Sequence, residues 1–414
     1  MLDRSVAPPF TRTLDFQLPS AVQFGANGSA SGWVIHSNEH PVCKVELVLS
    51  AGKRYESVTG ASHFAGQLLD KGTKYHSALE IASHLDHFGA HLDIETGSDY
   101  LHVNLYALSQ HLQEVLPLLQ ELMEQPSFPD EEWRIAKDIF AQNLQVNLEK
   151  TAFLAARGLR KLLFPNHPYG TSVQLEDLNR LDPTQISGFY QMHRGVDRIF
   201  VAGSVNDNDL QSLQKLLTSS NTTPRKDPSF SIQAGTHQHI LRKDSLQASI
   251  RMGKLGVDRM HKDYAGILLT NHILGGYFGS RLMKNIREEK GLSYGIYSTI
   301  QHHALASTMS IGADVNRAQM DLAIAEIQRE MVALQKIEQD ELTTARNHFI
   351  GSLQNDISNV FAATERIKMM NLEGLPAGYF QQLIHSLESI STDDVAQIAE
   401  VHFDPAQFVI VTAG

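Results

Sequence analysis

The chain has 414 residues, long enough for two or three domains with a sizeable core, and its 42% apolar and 20% charged content is ordinary for a globular protein. Lys and Arg number 35 against 46 Asp and Glu, a net charge of −11 without any run of five or six like charges, which argues against a nucleic-acid-binding surface. One cysteine, Cys43, excludes an intramolecular disulfide and any all-cysteine metal centre.

In chain order, the first twenty residues carry Asp3, Arg4, Arg12 and Asp15 and lack the apolar core of a secretory signal. No run of eighteen apolar residues is available to span a membrane. The sequence as given therefore points to the cytoplasm, although a periplasmic protein whose signal had been trimmed would read the same. Val45, Leu47 and Leu49 alternate with Lys44, Glu46 and, less cleanly, Val48, which predicts a strand with one buried face and Cys43 as a small hydrophobe within it. Gly60 precedes a helical segment. Leu79, Ile81, Ala82, Leu85 and Phe88 mark a second helix stopped by Gly89, and residues 100–105 alternate as a strand. A long helix follows Leu112. Another is expected from 129 to roughly 160, opened by Asp130, Glu131 and Glu132, whose charges suit a helix N-terminus, and closed by the turn over 165–170.

Two internal echoes organise the chain. Residues 64–69 recur in type at 264–269, 200 positions later; Asp182, Ile186, Phe189 and His193 recur as Ser391, Val395, Ile398 and His402, 209 positions later. Each of the second pair of segments then runs into a strand that ends in glycine, Gly203 or Gly414. Two homologous halves of roughly 200 residues account for both echoes. The polar, Pro-containing stretch 219–229 reads as the linker, giving domains 1–218 and 230–414. Strands and helices mix without a strict β-α-β-α beat, so the expected class is α+β, with a largely antiparallel sheet packed against helices in each half.

Twenty histidines invite a metal reading. His84, His87 and His91 cluster near a helix end, but no helical carboxylate completes a site, and His302 and His303 point to opposite sides of a strand. There is no phosphate-cradling glycine loop and no Gly-x-Ser-x-Gly elbow, and Cys43 has no histidine near it in sequence.

The segment His63-Phe64-Ala65-Gly66-Gln67 resembles the active-site helix of the pitrilysin or insulinase-like zinc peptidases, the inverzincins. There two histidines at i and i+4 bind zinc and a glutamate at i+3 is the general base. Here His63 stands alone. Gly66 has no side chain to take a proton, and the amide of Gln67 is a poor zinc ligand. The third ligand that the resemblance implies falls in a window that offers Gln142, Asn143 and Gln145, with Glu149 the nearest carboxylate. One imidazole cannot hold zinc usefully, so this chain by itself is expected not to be a zinc peptidase.

The resemblance continues through residues 163–170 and, most specifically, through 274–282 and 285–295, which look like the second-domain signature of the two-repeat subfamily that includes bacterial heterodimeric peptidases and mitochondrial processing peptidase. It implies that Arg287 and Tyr294 reach a zinc site across a closed chamber, gripping the substrate backbone and polarising its carbonyl. Gly291 can end a helix with Arg287 in its last turn, and Tyr294 would begin the next strand. A guanidinium offers several donors to a carbonyl, and a phenol can donate to an oxyanion. The plainer alternative has Arg287 paired with a carboxylate and Tyr294 half-buried. Gly275 and Gly276 are either a packing device or a flexible lip near the substrate, and Gln247 is a further candidate for the same cavity.

The expectation is a non-metal subunit of a heterodimeric zinc endopeptidase acting on peptides, with zinc held by a homologous His-x-x-Glu-His partner and no cofactor in this chain. A homodimer is the alternative assembly for the isolated chain. One rival is an inactive homologue that serves as a structural or peptide-binding subunit; another is a self-sufficient enzyme that uses His63, Glu149 and a further ligand.

Overall fold

A computed structural model describes residues 17–27, 29–218, 230 and 233–414; the expected linker, 219–229, lies outside them. Eleven strands form two sheets among the described residues. The first contains β1 (Val22–Asn27), β2 (Ala30–His36), β3 (Val42–Leu49), β4 (His91–Thr96), β5 (Leu101–Leu108) and β6 (Val196–Gly203), in the order β1-β2-β6-β3-β5-β4. The second contains β7 (His237–Ile240), β8 (Gln247–Leu255), β9 (Ser293–His302), β10 (Ser307–Asn316) and β11 (Val409–Ala413), in the order β7-β11-β8-β10-β9. Only β2/β6 and β7/β11 pair parallel, so the α+β architecture with largely antiparallel sheets is observed, and the second sheet repeats the first without a counterpart of β1.

The sequence echoes correspond to equivalent helices. Ala61–Leu68 packs on Pro183–His193 in the first half, and Tyr264–Asn271 packs on Thr392–His402 in the second. Both later helices begin with the same device: Asp182 and Ser391 each accept from the third helical backbone N–H, while Gln185 and Asp394 reach back to the cap residue.

The helix expected from 129 to about 160 is in fact two, Asp130–Leu148 and Thr151–Leu163, with Lys150 extended between them (φ −88°, ψ 123°). No glycine or proline marks the break. Tertiary packing makes it: the second helix crosses to the other half and lies on β8 and β11, where Ala155, Leu159 and Leu163 are buried against Val409 and Val411. Each such buried leucine contributes roughly 1.5–3 kcal/mol. A Cβ at Gly158 would meet Val411 at 2.9 Å, so the close approach needs glycine there. The helix Val360–Leu372, 209 residues further on, does the reverse and packs on β6 and β2 of the first half. Each sheet is therefore covered on one face by a helix from the opposite half.

That exchange overturns the expectation of one buried face for β3. Lys44 and Glu46 are only 6% and 1% exposed, because Glu365 and Lys368 of the exchanged helix close over them. Cys43 is buried in β3, as expected. No helix among the described residues is long and apolar enough to cross a membrane.

Candidate functional site

Helix Ala61–Leu68 starts at Gly60, whose φ of +96° favours glycine; the Glu56 carboxylate accepts from the backbone N–H groups of Gly60 (3.0 Å) and Ser62 (2.9 Å). One turn in, His63 packs edge-on to Phe64 and against Phe140, each ring centroid 5.0 Å away. Its surface reaches solvent, yet burial of the imidazole beside these rings lowers its pKa below the ordinary histidine range and favours the neutral form. At Gly66 a Cβ would meet Thr96 Oγ1 at 2.2 Å and Leu101 Cδ1 at 3.0 Å. Thr96 donates to the carbonyl of Ser62 (3.3 Å), so its hydroxyl is tied to this helix. Gln67 buries Oε1 without a hydrogen-bond partner.

A zinc ion, implied by the resemblance, does not fit these residues. Gln142, Asn143 and Gln145 are exposed, and Glu149 is engaged by Arg242 of the second half. Among the described residues, no group of three or more His, Cys, Asp or Glu side chains is arranged to hold a metal. The set of His63, Glu149 and a further ligand is thus not assembled. His84 instead meets the carbonyl of Glu114 (3.1 Å), His302 meets the Tyr264 hydroxyl (3.0 Å), and His303 stacks on Tyr169 (4.6 Å).

In the second half, Gly291 (φ +60°) follows the helical segment Met283–Glu289, leaving Arg287 in its last turn and Tyr294 as the second residue of β9. Nothing lies within 4 Å of a Cβ built on Gly291, so backbone conformation alone asks for glycine there. The guanidinium carbon of Arg287 lies over two rings, 4.7 Å from the Tyr294 centroid and 5.0 Å from that of Phe278. Neither alternative pairing holds: Arg287 makes no ion pair with a described carboxylate, and Tyr294 is 88% exposed.

Tyr294, Gly275, Gly276 and Gln247 line one cavity of about 760 Å³, together with Tyr277 and Tyr297. The geometry thus brings these four residues together; Arg287 does not line the cavity and meets it only through Tyr294 and Phe278, which do. His63, Gly66 and Gln67 are not among the residues lining it. The glycines also pack tightly: a Cβ on Gly275 would meet Ser298 N at 2.8 Å, and one on Gly276 would meet His272 Nδ1 at 2.7 Å.

Three residues of these sites escape a reading of the sequence. Phe278 lies within a recognisable block, but nothing in that block says its ring will face Arg287. Phe140 and Thr96 carry no signal at all, because they reach helix Ala61–Leu68 only through tertiary packing.

Residues 33–173 match the family model described as insulinase (peptidase family M16), and residues 181–349 match that of the peptidase M16 inactive domain. The uncharacterized zinc protease YmxG of Bacillus subtilis is 23% identical over 367 residues, which cover 86% of this chain and 89% of that protein. The non-peptidase homolog YmxG of Helicobacter pylori is 24% identical over 397 residues, covering 89% and 88%. The crystal structure of a peptidase M16 inactive domain from Pseudomonas fluorescens has the same fold, with a TM-score of 0.87 at 22% identity over 95% of this chain and 98% of that one.

Proposed function

The chain belongs to the insulinase (M16) peptidase family, and we propose that it works as the non-metal subunit of a two-chain zinc endopeptidase that cleaves peptides. The observation that carries this reading is the contrast between its two sites. Around His63 no metal-holding group is assembled among the described residues and the space at Gly66 is taken by Thr96, whereas the half-buried Arg287 lies over the exposed Tyr294 ring and pairs with no described carboxylate.

On this reading the partner supplies the metal and the carboxylate base. This chain supplies Arg287, whose N–H groups hold a substrate carbonyl, and Tyr294, whose hydroxyl donates to the oxygen on which charge develops. Gln247, Gly275 and Gly276 form the wall against which the peptide lies. A second reading, an inactive subunit that only binds peptides or builds an assembly, is favoured by the family match of residues 181–349 to an inactive domain and by the relative named a non-peptidase homolog.

Co-purification with a homologue bearing His-x-x-Glu-His, followed by an internally quenched peptide assay, separates the two. The subunit role predicts co-elution and turnover that falls on the order of 10²-fold in Tyr294→Phe, the cost of one oxyanion donor. Turnover unchanged in both Tyr294→Phe and Arg287→Ala would remove these residues from the chemistry.

A further inference from the structure

Strand alternation and register gather a second set of polar groups on the sheet face beneath helix Val360–Leu372. Asp93 of β4 lies opposite Asn104 of β5, which lies opposite Glu46 of β3, while Glu95 lies opposite His102. Residues opposite each other on neighbouring strands hold their Cβ atoms about 5 Å apart, so these side chains share one patch. Together with the exchanged helix they bound a cavity of about 400 Å³.

The charges in that cavity do not balance. Lys44, Glu46, Lys368 and Glu365 form a closed ring of alternating sign, with contacts of 2.9 Å (Lys44–Glu46), 2.5 Å (Lys368–Glu46), 2.6 Å (Lys368–Glu365) and 2.6 Å (Lys44–Glu365). His102 Nδ1 lies 2.8 Å from Glu46 as a further partner. Both lysines are thus consumed by the two glutamates. Asp93 and Glu95 line the same cavity without an ion pair to any described cation. Beside them Asn104 is only 5% exposed, and its Oδ1 is sealed from solvent and accepts no hydrogen bond. A buried acceptor without a partner is uncommon and calls for a donor.

We propose that this cavity binds an organic cation, the guanidinium or ammonium group of a basic peptide side chain, with Asp93 and Glu95 as its counter-charges and the Asn104 amide, turned about its Cβ–Cγ bond to present its oxygen to the cavity, as a further acceptor. A planar guanidinium carries five donors and suits acceptors spread over two neighbouring strands. A metal ion suits them less, since these groups do not form a three-ligand arrangement. The site is separate from Arg287 and Tyr294 and needs no catalytic partner.

The test uses the full chain alone and two fluorescent probes, dansyl-argininamide and its neutral isostere dansyl-citrullinamide, read by anisotropy. The proposal expects the arginine probe to bind at least roughly tenfold more tightly than the citrulline probe. It expects Asp93→Asn combined with Glu95→Gln, changes that keep side-chain shape at positions that are not fully buried, to abolish that preference. Equal binding of the two probes, or a preference that survives the double variant with an unchanged unfolding curve, would overturn the proposal. So would displacement of the arginine probe by Mg²⁺ or Ca²⁺ at stoichiometric concentration. Because no partner or turnover enters the assay, its failure leaves the subunit role untouched, and failure of that role leaves this site standing.

Discussion

The hydroxyl of Thr96 stands 2.2 Å from where a Cβ on Gly66 would lie, so the side chain that the family uses as base has no room to begin. The site around His63 has been repacked as well as stripped of ligands. Reinstating the motif by Gly66→Glu with Gln67→His should therefore yield a protein destabilised by about 1–3 kcal/mol through overpacking, and one that still lacks stoichiometric zinc. Adding Thr96→Ala should recover part of the loss. Urea unfolding and elemental analysis of the purified variants check both outcomes.

The rings of Phe278 and Tyr294 both meet the Arg287 guanidinium, at 5.0 and 4.7 Å. Each exposed contact of this kind is worth roughly 0.5–1 kcal/mol. In the paired enzyme, Phe278→Ala should lower kcat/KM several-fold with little change in stability, and Phe278→Trp should retain most of the activity. A kinetic series on the three proteins decides the point; an alanine variant with unaltered kcat/KM would show that the stack does not orient Arg287.

The ring of Lys44, Glu46, Lys368 and Glu365 joins β3 to a helix of the opposite half. Burial opposes ionisation of Glu46, but the His102 hydrogen bond and the two lysines outweigh it and hold the carboxyl far below its usual range. Removing Lys368 leaves the carboxylates of Glu46 and Glu365 to share Lys44, at a cost below the roughly 3–5 kcal/mol of a fully orphaned buried charge because Glu46 keeps Lys44 and His102. Lys368→Met should therefore lower the urea midpoint strongly, whereas Arg134→Met, which removes the exposed Arg134–Glu131 pair, should hardly move it.

Acid should weaken the fold from near neutrality downward. Burial, reinforced by His348 for His272 and by Arg259 and His303 for His302, pushes both imidazoles down to about 4. They stay neutral in the folded chain while the unfolded chain takes up protons below about 6.5, so their contribution is complete above pH 6.5 and is lost progressively as pH falls to 4. The full loss is on the order of 3 kcal/mol for each histidine. Glu46, depressed in the fold, loses its contribution only below about 4.5 and acts in the same direction. Unfolding free energies measured at pH 7.5, 6 and 5 should fall in that order, with a shallower slope in His272→Gln.

Much of the repeat was legible because its signals are local. The helix at 64–69 and its echo, the recurrence of Asp182 as Ser391, and the Gly291 stop between Arg287 and Tyr294 rest on spacing that neighbouring residues enforce. What escaped was set at long range. Lys44 and Glu46 look like a solvent face until a helix some 320 residues later closes over them, and the break at Lys150 arises because residues 151–163 belong to the far sheet. The loss at Gly66 and Gln67 was plain in the sequence, but the volume at Gly66 was taken by Thr96, a residue thirty positions away.

Whether reactivity depends on a companion chain is decided by peptide hydrolysis in zinc-supplemented buffer, comparing the isolated chain with an equimolar mixture containing a His-x-x-Glu-His homologue. Turnover in the mixture should lie well above that of the homologue alone, with none from this chain by itself, if the subunit role holds. Hydrolysis by the isolated chain, with zinc bound at one equivalent, would contradict it.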